Sequence, residues 1–217
     1  MNNSIIAISS HQGSIEWNTV FNKGGVSHAF SRLGEGADFL DHSFDGNFKS
    51  SKDAGLKAGA WHIFRARSST PNQQAKTIIE KLKGVGFTSE DSFVFEVYNK
   101  RGDNKDASRE EMANNLHALI TIINSSELPI SNRQLYIKTN IDTWKNSLAW
   151  DKHPDTFRRC NLWVEQWQDS SGKPDQPQPL QPWSEGKWTF WEYSQKGRVD
   201  GIKTDVLISK ANEHSSS

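Results

Sequence analysis

The chain has 217 residues with 26 basic and 26 acidic side chains, so its formal net charge is zero. At roughly 150 residues per domain this length favours one large domain, and the neutral charge excludes the basic excess that non-specific nucleic-acid binding or an anionic membrane surface requires. The single cysteine, Cys160, excludes an internal disulfide and lacks the partners of a structural zinc site.

Short apolar runs alternate with helical patterns along the chain. In chain order they predict a strand at 5–9, a helix at 17–23, a strand at 26–31, a helix at 44–54, a strand at 57–64, a helix at 71–83, a strand at 93–98, a helix at 108–125, strands at 135–138 and 161–166, a loop at 169–182 and a strand at 187–193. This alternation implies βαβ units and a mainly parallel sheet. The sequence therefore predicts an irregular, TIM-like α/β barrel: a single domain over residues 1–210, followed by a disordered tail at 211–217.

Nine tryptophans are the most unusual feature of the composition. Indole rings in this number fill a large core or line a cleft that stacks against the flat faces of sugars, and composition does not choose between the two. The amino terminus shows no signal-peptide pattern, and no apolar run is long enough to span a membrane. We therefore expect a protein that stays in the cytoplasm or leaves by a leaderless route, such as delivery by a phage or a secretion apparatus.

Six segments, in order along nearly the whole chain, resemble one known family. They are residues 5–17 (IIAISSHQGSIEW), 29–36 (AFSRLGEG), 53–64 (DAGLKAGAWHIF), 135–140 (LYIKTN), 162–167 (LWVEQW) and 191–202 (WEYSQKGRVDGI). The first resembles the opening I-D-V-S-x-x-Q-G-x-I-D-W of glycoside hydrolase family 25, the Chalaropsis-type lysozymes. The resemblance implies a barrel whose relatives hydrolyse the bond between N-acetylmuramic acid and N-acetylglucosamine in peptidoglycan.

The resemblance also implies four acidic positions, and three of them are not acidic here. The Asp of the first strand falls on Ala7, the D-x-E pair falls on Glu96 and Tyr98, and the late Asp falls on Leu207. A phenol with an ordinary pKa of about 10 is a poor replacement for a carboxylic acid tuned near 6, and losing a general acid typically costs about 100- to 10,000-fold in rate. The pattern predicts a pseudoenzyme that binds a cell-wall glycan, or another partner, without cutting it.

Two other interpretations stay open. Glu165 and Glu192 stand where the resembled family usually has Ala and Gln, so an active muramidase could use Glu96 with these relocated acids, with Asp205 as a further candidate. The second interpretation is a barrel that serves only as a protein-binding scaffold, in a phage particle or a secretion apparatus. The competing structural interpretation of Glu165 and Glu192 is an ion pair at a solvated strand end with one of three basic residues: Arg158, Arg159 or Lys187.

Aromatic and histidine side chains complete the candidate glycan site, with core packing as the competing interpretation of the tryptophans. The candidates for ligand contact are Trp61, His62, Tyr98, Tyr136, Trp163 and Trp191. The histidines lack zinc-site spacing and no glycine-rich loop cradles a phosphate, so the sequence predicts no metal and no cofactor. The predicted partner is peptidoglycan or another glycan, with a protein partner as an alternative and neither nucleic acid nor membrane expected.

Overall fold

The computed structural model describes residues 3–168 and 174–214. Nine strands form one sheet, and eight of them close into a barrel, with β3 paired only to the end of β2. The strands are β1 (Ser4–Ile8), β2 (Val26–Glu35), β3 (Phe39–Leu40), β4 (Lys57–Ile63), β5 (Ser92–Val97), β6 (Leu135–Asn140), β7 (Asn161–Glu165), β8 (Phe190–Gly197) and β9 (Val206–Ala211).

The barrel is mainly parallel, as the alternating pattern predicts. Strands β1, β2, β4, β5, β6, β7 and β8 pair side by side in the parallel sense. Strand β9 runs antiparallel between β8 and β1 and closes the barrel there. The predicted irregular α/β barrel is thus confirmed, with the antiparallel closing strand as its irregularity.

The described ranges contain five α-helices between the strands, and the two longest begin at capping signals that the sequence carries. They are α1 (Trp17–Lys23), α2 (Phe44–Asp53), α3 (Pro71–Gly84), α4 (Arg109–Asn124) and α5 (Pro154–Arg158). At the start of α3, Thr70 and Gln73 form a reciprocal capping box, and Ser108 and Glu111 do the same for α4. The apolar stripes of both helices pack on the outer face of the sheet in the largest hydrophobic cluster.

Strand alternation divides the side chains between the barrel interior and this outer layer. On β5, Phe93 and Phe95 pack outward against the helices, whereas Val94 joins the interior cluster. Most of the barrel interior is apolar, and Phe30, Trp163 and neighbouring rings pack edge to face there. The charged side chains of Glu96, Lys138 and Glu192 follow toward the carboxyl ends of the strands.

Some elements differ from the sequence prediction. Strand β9, the short α5 and a π-helical turn at Thr143–Ser147 were not predicted, and the last predicted strand lies three residues later, as β8. Because β9 runs to Ala211 and the Asn212 amide donates to the carbonyls of Gly186 and Trp188, the fold continues past the predicted boundary at 210. The end of the predicted tail, residues 215–217, lies outside the described residues, as do residues 169–173 of the predicted loop.

Within the described ranges, no helix combines the length and apolar character needed to cross a membrane.

Candidate functional site

Charged side chains from four neighbouring strands meet inside the barrel at the carboxyl ends. Glu96 on β5 lies beside Lys138 on β6, and Glu165 on β7 lies beside Glu192 on β8, each pair in register. Glu96 faces the interior because it is two residues beyond the interior residue Val94. We call Glu96, Lys138, Glu165, Glu192 and the adjacent Tyr98 the mouth cluster.

Lys138 is the centre of the mouth cluster. Its Nζ lies 2.6 Å from Oε1 of Glu192 and 3.8 Å from Oε2 of Glu96. All three side chains are at most 1% exposed, while the half-exposed Arg101 reaches Oε1 of Glu96 from outside at 3.3 Å. Burial opposes the charge on Lys138, but the attraction of Glu192, Glu96 and Glu165 outweighs it and raises the lysine pKa. Two of the candidate catalytic carboxylates are therefore covered and bound to one ammonium.

Two tryptophans form the floor beneath Lys138. The ammonium lies 5.3 Å from the ring centre of Trp163 and 5.9 Å from that of Trp61. The Trp163 indole donates to Oγ of Ser209, and the Trp61 indole donates to the carbonyl oxygen of Ile8. Both rings are buried, so they hold the cluster from below and offer no open face to a sugar.

Tyr98 and Glu165 form a second pair at the same end of the barrel. The Tyr98 hydroxyl donates a short hydrogen bond to Oε2 of Glu165, which is only partly buried. Burial, with the charge of Glu192 adding to it and Lys138 opposing it, raises the pKa of Glu165 to about 7. Burial and the neighbouring Glu165 raise the pKa of Tyr98 well above its ordinary value. Near neutral pH, Glu165 is thus partly protonated and Tyr98 stays a phenol.

Trp167 lies at the edge of the mouth cluster and was not among the ligand-contact residues predicted from the sequence. Its side chain is 39% exposed, and its indole nitrogen donates to Oε2 of Glu192 at 3.0 Å. Its position in the sequence could have indicated this role, because Trp167 lies two residues beyond β7. The loops that follow the strands of parallel barrels carry their active sites. The hydrogen bond fixes the edge of the ring and leaves part of the indole open to solvent.

The positions Ala7 and Leu207, where the family's acids are expected, are neighbours in space. They are Cα partners between β1 and β9, and both side chains contact the apolar interior cluster. Asp205, the possible substitute just before β9, is instead paired with the exposed Arg198 at 3.1 Å. The structure therefore does not bring Asp205 into the mouth cluster, and the two positions where the resemblance predicted acids form one apolar pair.

Three predicted ligand residues lie away from the mouth. His62 and Trp191 face the outer side of their strands, because each is one residue out of phase with an interior residue, Trp61 or Glu192. The Trp191 indole donates to the carbonyl of Gln166, and His62 is wholly buried, with its pKa lowered to about 4 by burial. Tyr136 faces inward but near the start of β6, at the opposite end of the barrel.

The competing interpretation of Glu165 and Glu192, a surface ion pair with Arg158, Arg159 or Lys187, is also wrong. Arg158 pairs with Asp155 next to it in the sequence, while Glu192 pairs with Lys138 and Glu165 bonds to Tyr98. Across the described part of the chain, no group of three or more His, Cys, Asp or Glu side chains is arranged to hold a metal ion.

A closed α/β barrel with a carboxylate cluster at the carboxyl ends of its strands has its site where TIM-type barrel enzymes keep theirs. Residues 6–202 match the profile of glycosyl hydrolases family 25, and the chain belongs to this family. The resemblance predicted from the six sequence segments is thereby confirmed.

Curated and solved relatives agree with this assignment. The chain is 28% identical to Lysozyme M1 of Streptomyces globisporus, over 95% of this chain and 67% of the relative. The crystal structure of the bacterial lysozyme from Streptomyces coelicolor superposes with a TM-score of 0.77 at 25% identity, covering 98% of this chain and 93% of the other. A modular autolysin from Streptococcus pneumoniae, solved in complex with a synthetic peptidoglycan ligand, has a TM-score of 0.73 at 20% identity; this match spans 95% of the chain but only 46% of the autolysin.

Proposed function

We propose that this family 25 protein binds a cell-wall glycan at the barrel mouth and does not hydrolyse it. The observation that carries the proposal is the Lys138 ammonium in contact with both Glu96 and Glu192. Hydrolysis of a glycosidic bond requires an acid near the leaving oxygen and a carboxylate at the oxocarbenium-like centre. Here one ammonium pairs with the two innermost carboxylates, Arg101 adds a second cation to Glu96, and burial shields both carboxylates from substrate.

The charge of Lys138 adds a second obstacle to hydrolysis. A positive centre beside a developing oxocarbenium ion raises the energy of the transition state. Because the surrounding carboxylates raise the lysine pKa, a change of pH within the ordinary range does not remove this charge.

Binding remains feasible because the rim keeps groups suited to sugars. The partly open indole of Trp167 offers a stacking face, and the exposed Arg101 offers a donor on the other side of Glu96. The lysozyme relatives, and the peptidoglycan ligand held by the Streptococcus autolysin, support a wall glycan as the ligand class.

One observation favours the alternative of an active muramidase. Glu165 has a pKa of about 7 and is only partly buried, which are the properties of a general acid at neutral pH. In that case Glu165 would act with Glu96 or Glu192 as the second carboxylate, once substrate displaced Lys138.

The test is incubation of the purified protein with peptidoglycan, beside an active family 25 lysozyme as positive control. We expect co-sedimentation with the wall and no new reducing ends. Trp167→Ala should weaken co-sedimentation by roughly three- to tenfold, the value of one aromatic stacking contact. Phe21→Ala, which removes an exposed aromatic on α1, is the matched control and should not.

Two outcomes would contradict the proposal. Release of reducing ends that Glu165→Gln abolishes would establish the active enzyme. Absence of both cleavage and co-sedimentation would favour the third interpretation, a barrel that serves as a protein-binding scaffold.

A further inference from the structure

A large cavity opens at the amino ends of the barrel strands, opposite the mouth cluster. Its volume is about 640 Å³, within the range of small-molecule sites. The starts of β1 and β2, the end of β9 and the segment before β8 form its walls. The lining residues used below are Ser27, His28, Asp175, Trp188, Lys210, Ala211 and Glu213.

His28 is the most informative residue of this cavity. It also lines a neighbouring cavity of about 360 Å³, and its ring packs edge to face on Phe190 at 5.5 Å between ring centres. Burial, with a smaller effect of Lys57, lowers the His28 pKa to about 4, and the imidazole is therefore neutral at physiological pH. A neutral imidazole in the lining of a cavity is a hydrogen-bonding group and not a charge.

The hydrogen bonds of Ser27 determine which nitrogen of His28 carries the proton. The Ser27 hydroxyl lies 3.2 Å from the carbonyl oxygen of Ser4 and 2.8 Å from Nδ1 of His28. A carbonyl only accepts, so the single hydroxyl proton goes to Ser4, and both contacts are satisfied only if Nδ1 of His28 donates. Nε2 of His28 is then an acceptor, and no hydrogen bond to it occurs among the described residues.

The rest of the lining narrows the class of ligand. The half-buried Trp188 ring supplies an apolar face, held edge to face against Trp191 at 6.2 Å. Asp175 and Glu213 add acceptors, and Lys210 adds a donor. An acidic balance of this kind disfavours a phosphate or other anion, while the many polar groups disfavour a lipid chain. Flat apolar faces edged by hydroxyl groups are the property of a pyranose ring.

We propose that this cavity is a second saccharide site, which takes a neutral or N-acetylated pyranose unit. Trp188 stacks on the sugar face, and Nε2 of His28 accepts a hydrogen bond from a sugar hydroxyl. The site is separate from the mouth and does not depend on binding there. With both sites occupied, one molecule would hold two glycan segments at opposite ends of the barrel, which increases avidity without new contacts.

The test uses the whole protein and tri-N-acetylchitotriose as a soluble probe. In ¹⁵N-labelled protein, we expect the indole resonance of Trp188, assigned from a Trp188→Phe spectrum, to shift on titration. Trp188→Ala should weaken the affinity measured by calorimetry for this site by roughly tenfold or more. Because Trp188 also packs on Trp191, Ala211→Trp provides a second variant: the residue is exposed at the end of β9, and the larger side chain would fill the cavity.

The matched control is Trp167→Ala, which alters the rim of the mouth and should leave the Trp188 resonance shift unchanged. The proposal is overturned if the probe does not shift the Trp188 resonance at millimolar concentration, or if Ala211→Trp binds there as the wild type does. These readouts report on the amino end of the barrel alone, so they separate this proposal from a failure of glycan binding at the mouth.

Discussion

Lys138 is the residue that distinguishes this mouth from an open row of carboxylates. A buried ammonium is tolerated here because Glu192 and Glu96 surround it and because two indole faces lie below it. Such an ion pair adds little to stability compared with an apolar core, yet removal of one partner leaves an uncompensated buried charge. The ion pairs that Lys138 makes with the carboxylates therefore make the stability of the barrel depend on this lysine.

This dependence predicts a large effect of Lys138→Met. We expect the free energy of unfolding at pH 7 to fall by about 3–5 kcal/mol, because Glu192 loses its counter-charge and Glu96 keeps only the half-exposed Arg101. The double variant Lys138→Met/Glu192→Gln should recover part of the loss, since the carboxylate left without a cation is removed. Urea denaturation measures both.

An exposed lysine provides the control for this measurement. Lys152→Met, which breaks the surface pair with Glu110, should change the free energy of unfolding by less than about 1 kcal/mol. A Lys138→Met protein as stable as the wild type would mean that the mouth cluster is not ionised in the way described.

At the scale of single residues, the structure brings together four residues that the sequence patterns had selected: Glu96, Tyr98, Glu165 and Glu192. They could be selected because each belongs to a strand whose place in the barrel the family segments define. His62 and Trp191 were assigned to the site wrongly, since a strand places neighbours on opposite faces and a one-residue error of phase reverses the assignment. Prediction of the role of Lys138 would have required the register between neighbouring strands, and no local sequence pattern contains that register.

At the scale of elements, the pairing of β1 with β9 brings together the two positions, Ala7 and Leu207, at which the family resemblance predicted acids. Ala7 and Leu207 are directly opposite each other and share the interior cluster with residues such as Phe30 and Trp163. A carboxylate at either position would be desolvated beside apolar rings. With its partner also apolar, it would have no compensating group on the neighbouring strand.

Introduction of an acid at position 7 should therefore lower the free energy of unfolding without producing hydrolysis. We expect Ala7→Asp to lower the free energy of unfolding by about 2 kcal/mol or more at pH 7, with a smaller loss at pH 4, where the new carboxyl is more easily protonated. Ala211→Asp at the exposed end of β9 is the matched control and should be nearly neutral. A gain of activity in Ala7→Asp alone would show that the site needs only this one group.

Elements with local signals were predictable and those made by tertiary pairing were not. Helix α1 occurs at the predicted residues and ends at Gly24. Helices α3 and α4 lie within one residue of prediction, because capping boxes and apolar periodicity mark them. Strand β9 has six residues, and its main partners, β8 and β1, lie at opposite ends of the parallel series. The stability of such a strand comes from barrel closure and not from its own sequence.

At the scale of the whole molecule, buried titratable groups act against one another as the pH falls. His28 and His62 have folded pKa values of about 4 against an ordinary 6.5, so the unfolded chain takes up their protons first. The stability they contribute is complete above pH 6.5 and is lost as the pH falls toward 4. Glu165 has a folded pKa of about 7 against an ordinary 4.5, so it binds its proton first in the folded state and gains stability over the same descent.

These opposing effects predict the acid stability of the protein and of two variants. From pH 7 to pH 4.5, each histidine removes about 2 kcal/mol and Glu165 returns a similar amount, so these three groups together lower the free energy of unfolding by roughly 2 kcal/mol. Glu165→Gln should steepen the loss to roughly 5 kcal/mol, whereas His62→Gln, or His28→Gln if that variant does not fold, should nearly abolish it. Urea denaturation at the two pH values tests all three proteins. Equal profiles would show that these groups titrate alike in the folded and unfolded chain, and that the mouth does not hold Glu165 protonated near neutral pH.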